Sequence, residues 1–320
     1  MKKVLVTGGL GFIGSNFVRM LLRETRLEVV NLDLITYAGN PENLLEFEGN
    51  DRYTFVKGDI ASPKDAAKAM EGVDTVFNFA AESHVDNSIN DSDPFVRTNI
   101  SGTKNMVDVA MKKGIDRFVH VSTDEVYGSV EKGSSTEGDL LKPRNPYSAT
   151  KAASDLLALS YVSTYGIDLV VTRSSNNYGP YQYPEKVIPL FVTNLLEGKK
   201  VPLYGNGKNV RDWLFVEDNC AGILAAGLKG KKGEIYNIGG GNEITNIELT
   251  HKILELMGKG EEAIERVADR KGHDLRYSLD SSKIKKLGWA PQKKFDDGLK
   301  ETIEWYKNNP KWWKKLKVKK

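Results

Sequence analysis

The sequence predicts the α/β class: a doubly wound parallel sheet with a smaller C-terminal lobe. Three observations predict it. Short apolar runs alternate with helical patterns through about the first 180 residues, the signature of βαβ units. The runs are almost continuously hydrophobic, as expected of parallel strands buried on both faces. Beyond residue 180 the alternation loosens: Pro180, Pro184, Pro189 and Pro202 interrupt it, and glycines recur at Gly205, Gly207 and Gly239 to Gly241.

In chain order the expected strands are Lys3–Thr7, Val29–Leu32, Tyr53–Lys57, Thr75–Phe79, Arg117–Ser122 and Leu169–Arg173, with Glu234–Ile238 as a later addition to the same sheet. Helices are expected at Phe12–Arg23, Pro63–Met70, Val96–Lys113 and Pro146–Thr164. Residues 1–180 would form the sheet domain, with segments near 211–245 returning to it. Residues 181–320 would form most of a lobe over the carboxyl edge of the sheet, where open α/β folds bind ligands.

Composition excludes several classes. The 320 residues are 40% hydrophobic, enough for a packed core. No apolar run approaches the ~20 residues that span a bilayer. The start, MKKVLVTGG, reads as a first buried strand rather than a leader, so a cytoplasmic protein is expected. A single cysteine, Cys220, and four dispersed histidines give no metal-site spacing. The formal charge of +3 arises from the last ten residues, KWWKKLKVKK, which hold six lysines; the remainder carries −3. That balance is not a nucleic-acid binder's. The tail is expected to be a solvated extension that packs Trp312 and Trp313 on the body, with anchoring to an anionic surface as the alternative.

The first strand runs into Gly8-Gly9-Leu10-Gly11-Phe12-Ile13-Gly14 and then a helix. Gly8, Gly11 and Gly14 have the GxxGxxG spacing of a Rossmann-type dinucleotide loop. They would allow in turn a tight turn, approach of backbone to a pyrophosphate, and close helix packing. Asp33 follows the second strand 19 residues after Gly14. A carboxylate there accepts from ribose hydroxyls and repels a 2′-phosphate, so NAD is expected rather than NADP. Asp59-Ile60, after the third strand, suits the adenine edge.

Tyr147 and Lys151 stand four residues apart on a predicted helix and share a face. A phenol titrates near ~10, and the nearby ammonium, with the positive charge of a nicotinamide, should lower it and make a general base for a sugar hydroxyl. Lys151 would also hold a nicotinamide ribose. Ser122-Thr123-Asp124-Glu125 closes the fifth strand at the active edge. Adjacent acids there suggest a proton donor beside a proton acceptor, chemistry beyond hydride transfer.

The strings GGLGFIGSNF, NLDLITYAGNPENL, AAESHVDNSI, TNISGT, STDEVYG, NPYSATKAASD, SNNYGPYQYPEK, RDWLFVEDNC and GHDLRYSLD extend from residue 8 to about 280. Together they resemble the dTDP-glucose 4,6-dehydratases of the extended short-chain dehydrogenase/reductase family. The resemblance implies that Phe12 and Ile13 line the pyrophosphate loop and that Asp33, Leu34, Ile35 and Thr36 hold the adenosine ribose. Asp59 and Ile60 would meet adenine, and Ala80, Ala81, Thr98 and Asn177 the rest of the cofactor. It implies hexose contacts from Ser83, Thr123 and Asn176. It makes Asp124 the proton donor, Glu125 the acceptor and Tyr147 the base for the 4-hydroxyl. Lys186, Val187, Pro202, Leu203, Tyr204, Arg211, Asn246, Arg270 and His273 would cradle the nucleoside diphosphate.

The chain departs from the family at Asn87 and Leu275, where arginine is common, and at Lys271, where proline is common. Glu82 and His84 show no role. The implied reaction converts a nucleoside-diphosphate hexose, dTDP-glucose foremost, into a 4-keto-6-deoxy sugar nucleotide, in a homodimer joined through the Val96–Lys113 and Pro146–Thr164 helices. The nearest rival, a sugar-nucleotide 4-epimerase, needs no acid–base pair at Asp124 and Glu125. A non-catalytic NAD-sensing protein needs neither that pair nor Tyr147 with Lys151.

Overall fold

A computed structural model describes residues 1–269 and 273–318. Strands β1 (Lys3–Thr7), β2 (Glu28–Asp33), β3 (Tyr53–Lys57), β4 (Thr75–Asn78), β5 (Arg117–Thr123) and β6 (Leu169–Ser174) fall on the predicted runs, within one residue at each end. Three short strands follow outside the main sheet: β7 (Asn176–Tyr178), β8 (Val201–Tyr204) and β9 (Val210–Phe215). β10 (Ile235–Ile238) then rejoins it. The main sheet has seven strands in the order β10-β6-β5-β4-β1-β2-β3, all parallel. The predicted α/β class with a doubly wound parallel sheet is what the chain adopts.

Alternation along β1 shows why both faces are buried. Val4 and Val6 pack in one cluster with Phe17, Phe77, Val119 and Ile223. Leu5, between them, packs on the other face with Val76, Met106, Phe118 and Val171. The return to the sheet starts at Val216, later than expected. The helix Val216–Lys229 covers the first face, whereas β9 belongs to a three-stranded sheet with β7 and β11 (Glu243–Thr245). β12 (Ile264–Val267) pairs in parallel with β8. A third cluster, including Tyr178, Phe191, Trp213, Leu249, Leu299 and Trp313, is the core of the smaller lobe.

One predicted helix differs from expectation. The segment predicted as one helix over Val96–Lys113 opens with a π turn, Val96–Gly102, before α-helix Thr103–Lys113. Gly102 packs so closely on Ile60 that a Cβ would lie 2.7 Å from its Cδ1. The wide turn accommodates that approach and puts Thr98 on the cavity wall. The lysine-rich tail packs its two tryptophans on the body as expected, and does so as helix Pro310–Val318 with Lys311, Lys314 and Lys315 exposed. Trp312 and Trp313 are buried and donate to Asn43 Oδ1 and the Tyr306 carbonyl, both at 2.9 Å. Neither indole remains to anchor on a surface. Among the described residues no helix is long and apolar enough to cross a membrane.

Candidate active site

A cavity of about 750 Å³ opens along the carboxyl ends of the parallel strands. Strand order reverses between β1 and β4, and the loops after them, 8–14 and 80–83, diverge around the cavity. The helix Phe12–Glu24 begins at its edge with no side-chain cap, leaving first-turn N–H groups for an anion. Gly8 has φ +68°, and a Cβ on it would stand 2.8 Å from Ala80 Cα. A Cβ on Gly14 would lie 2.2 Å from the Gly8 carbonyl oxygen, so Gly14 lets the helix close on the loop itself rather than on the sheet.

Asp33 accepts from Leu10 N (2.9 Å) and Ile35 N (2.8 Å), one bond to each oxygen. Its carboxylate thus ties the glycine loop to the end of β2 while still lining the cavity. Burial nonetheless pushes its pKa up. Asp59 accepts from Ala61 N at 2.8 Å and pairs with Arg97. Ser62 caps the next helix, leaving the Asp59 carboxylate at the cavity wall. Gly11, Phe12, Ile13, Leu34, Thr36, Ile60, Ala80, Ala81, Thr98 and Asn177 also line the cavity. Ile35 does not: with φ +60° it turns onto the core cluster, so its side chain is a poor candidate for the ribose. The cradle that side chains would fill at Gly8 and Gly14, the uncapped helix and Asp33 fit a dinucleotide.

The chemistry-bearing groups converge from β5 and helix Pro146–Tyr165. Thr123 ends the strand and caps a short 3₁₀ turn, Asp124–Tyr127, accepting from Glu125 N at 3.3 Å. Its hydroxyl donates to Asp124 Oδ1 at 3.1 Å. The other oxygen, Oδ2, is buried with no hydrogen-bond partner. Burial, reinforced by the charges of Glu125 and Asp212, pushes the Asp124 carboxyl well above the usual range. That shift favours the protonated, proton-donating form of the carboxyl. Glu125 is half-buried and accepts from Asn145 Nδ2 at 3.4 Å. Asn145 also caps the helix carrying Tyr147 and Lys151, through Ser148 N at 2.8 Å. One residue therefore sets both the helix start and the glutamate.

Tyr147 and Lys151 are both buried and both line the cavity. The protein groups by themselves do not lower the phenol pKa, which leaves that lowering to the nicotinamide charge. Burial, and then the carboxylate of Glu125, push that pKa upward, with Thr123's hydroxyl acting in the opposite direction. Lys151 Nζ donates instead to the Val121 carbonyl at 2.7 Å, and burial lowers its pKa to about 8. Behind it lies a fully buried polar network. Asp155 pairs with Arg173 at 2.9 Å and lies 3.4 Å from His120 Nε2. Arg173 donates to Tyr127 Oη at 2.8 Å.

The substrate residues divide into two groups. Ser83, Thr123, Asn176 and Lys186 line the cavity, and Lys186 Nζ reaches the Ser83 carbonyl at 3.2 Å. Val187, Pro202, Leu203, Tyr204, Arg211, Asn246 and His273 are not on its wall. Val187 and Leu203 are committed to packing in the lobe. Arg211 is buried, stacked 4.3 Å from the Tyr277 ring and donating to the Asp274 carbonyl at 3.0 Å. Tyr204 and His273 meet edge to face, and Asn246 opens helix Asn246–Leu256. Arg270 and Lys271 lie outside the described residues.

Sequence reading missed Tyr37, Tyr181, Glu185 and Trp312 on the wall. Glu185 Oε2 sits 3.7 Å from His84 Nε2 and its Oε1 accepts from Tyr37 at 3.4 Å, joining three loops. Glu82, given no role from sequence, shares this wall, and burial followed by the Glu185 charge raises its pKa. His84 caps helix Val85–Asn90 through Asn87 N.

The family profile described as GDP-mannose 4,6 dehydratase matches residues 5–302. The dTDP-glucose 4,6-dehydratase of an Actinoplanes species is 52% identical over 318 residues, covering 97% of this chain and 99% of that protein. This chain belongs to the nucleotide-sugar 4,6-dehydratase family. The crystal structure of the Streptomyces venezuelae dTDP-glucose 4,6-dehydratase, with NAD bound, superposes with a TM-score of 0.97 at 52% identity. The match covers 98% of this chain and 99% of that one. The UDP-glucose 4-epimerase of Thermus thermophilus, also with NAD, shares the fold at a TM-score of 0.88 with 30% identity, covering 96% of this chain and 99% of its own. Identity therefore favours the dehydratases over the epimerases.

Proposed function

We propose that this chain dehydrates a nucleoside-diphosphate hexose, dTDP-glucose foremost, to the 4-keto-6-deoxy sugar nucleotide and water. The carrying observation is the side-by-side placement of Asp124, a buried carboxyl with an unpartnered oxygen, and Glu125, both on the wall that holds Tyr147. A 4-epimerase has no use for that pair.

Gly8, Gly11, Phe12, Ile13, Gly14, Asp33, Asp59, Thr98, Lys151 and Asn177 would hold NAD. When bound, NAD supplies a positively charged ring that accepts the C4 hydride and returns it to C6. Tyr147 Oη takes the 4-hydroxyl proton, with Lys151 as the protein cation available to favour the phenolate. The 4-ketone acidifies the C5–H bond. Glu125 removes that proton, and Asp124 donates its own to the 6-hydroxyl, which leaves as water. Glu125 then returns a proton to C5. Thr123 orients Asp124 and the phenol. The lobe loop 181–186 and Trp312 wall the cavity and keep bulk water from the intermediate.

Ser83, Asn176 and Lys186 would hold the sugar and first phosphate. Arg211, Tyr204, Asn246 and His273, with Arg270, would take up the nucleotide end once substrate draws them together. A homodimer through the Val96–Lys113 segment and helix Pro146–Tyr165 is part of the proposal, supported by exposed apolar Leu156, Tyr165 and Val96. So is a cytoplasmic location.

The test is incubation of purified protein with dTDP-, UDP-, GDP- and CDP-hexoses, with products identified by mass and NMR. A dTDP sugar lighter by one water is expected. A hexose epimerised at C4 with its 6-hydroxyl intact would refute the reading.

A further inference from the structure

The C-terminal helix reaches the dinucleotide side of the cavity from the far end of the chain. Trp312 and Leu316, four residues apart and so on one helical face, both line the cavity beside Gly11, Phe12, Asn40 and Asn43. Trp312 Nε1 donates to Asn43 Oδ1 at 2.9 Å. Asn43 Nδ2 donates in turn to the carbonyl of Leu10, inside the glycine loop, also at 2.9 Å. Asn40 N donates to that same carbonyl at 3.0 Å. Leu10 N is the group held by Asp33. A continuous line of hydrogen bonds thus runs from Trp312 through Asn43 to the loop that would carry the pyrophosphate.

Further contacts fix the helix in place. The Tyr181 ring lies 4.6 Å from Trp305 and 5.9 Å from Trp312, and Arg19 from the helix after the glycine loop stacks on it at 4.1 Å. Tyr183 Oη donates to the Leu316 carbonyl at 3.3 Å. Lys315 pairs with Glu42 at 2.7 Å, on the same segment as Asn43.

We propose that helix Pro310–Val318 is a clasp that retains the dinucleotide, with Trp312 and Asn43 as its closing contact on the glycine loop. This rests on the dinucleotide reading of residues 8–14. The physical argument is that opening a path past Trp312 breaks its bond to Asn43 and unpacks an indole from Tyr181 and Trp305. That cost adds to the barrier for cofactor release. A reaction that ends with its cofactor in the starting redox state has no need to exchange it, so a closed wall on this side carries no kinetic penalty.

The test measures retained NAD, not turnover. Wild type, Trp312→Phe, Trp313→Phe and a chain ending at Asn309 are purified. NAD content is read after denaturation, and its release rate by chase with a dinucleotide analogue. Trp312→Phe keeps an aromatic ring but removes the N–H. It should release NAD about fivefold faster, the effect of one neutral hydrogen bond, and the shortened chain faster still. Trp313, whose indole donates to Tyr306 and packs in the lobe core, is the control for packing. Its phenylalanine variant should release at the wild-type rate even where its melting temperature falls. Because Trp312→Phe is mild, the proposal is tested even if the shortened chain does not fold. Wild-type retention with an unchanged rate in Trp312→Phe overturns the clasp alone. Equal acceleration in both variants overturns it too, reducing the helix to packing. A wild type that binds no dinucleotide overturns the reading of residues 8–14 and the clasp with it.

Discussion

At the scale of single residues, the proposed mechanism depends on two neighbouring carboxyls with different surroundings. Asp124 is sealed beneath Thr123 with one oxygen unpartnered, whereas Glu125 is half-buried and held by Asn145. Glu125→Gln should slow elimination by roughly 10²–10⁴-fold, the usual worth of a positioned base, while C4 oxidation continues. Single-turnover absorbance of reduced cofactor would then accumulate without 4-keto-6-deoxy product. Normal product formation would remove Glu125 from its role. Tyr147→Phe should instead suppress the oxidation itself, with no reduced cofactor formed. Lys151 gives a pH signature. Burial depresses its pKa to about 8, so the ammonium is present below that pH and lost above it. In the proposed mechanism the cation favours the Tyr147 phenolate, so single-turnover C4 oxidation should fall as pH rises beyond about 8. Lys151→Arg, which retains its charge, should move that fall to higher pH. A profile identical in the two proteins would show that Lys151 does not set the alkaline limit.

At the scale of elements, strand ends and helix starts do the positioning. The parallel pairing of β5 with β6 sets Thr123 opposite Ser174 and brings Asp124, Glu125, Asn176 and Asn177 to the same edge. Helix Pro146–Tyr165 starts at Asn145, whose side chain both caps Ser148 N and reaches Glu125. Asn145→Ala should cost about 1 kcal/mol of stability in chemical denaturation, the typical loss of an N-cap, and also slow elimination. Asn145→Asp, which can still cap, should recover the stability but place a like charge against Glu125. Equal elimination rates in the wild type and Asn145→Ala would show that the contact is not needed. These strands and helices were legible because strand–glycine–helix punctuation is local, and the sheet edge could be inferred from the alternation alone. The π turn at Val96–Gly102 was not, because it answers to the contact between Gly102 and Ile60 across the fold.

For the whole molecule, exposed apolar surface bears on assembly. Leu156 and Tyr165 leave about 60% of their surface exposed on a helix that otherwise packs well. Apolar area of that kind is what subunit contacts bury. Light scattering should give a dimer mass, and Leu156→Lys should lower it toward the monomer without moving the far-ultraviolet circular dichroism. A wild-type monomer at micromolar concentration would refute the dimer. The sequence by itself determined the sheet, its parallel strands, the glycine loop with Asp33, and the candidate set of Thr123, Asp124, Glu125, Tyr147 and Lys151. Each of those follows from short-range periodicity and spacing, and strand direction then carries them to one edge. Tertiary structure alone decided the rest. It raised Tyr147 and lowered Lys151 by burial, left Asp124 Oδ2 without a partner, and turned Ile35 inward. It brought Glu185 against Tyr37 and His84, and Trp312 against Asn43. Those contacts join residues up to 269 positions apart, and no local pattern records which distant side chain will close a wall or exclude water from a charge.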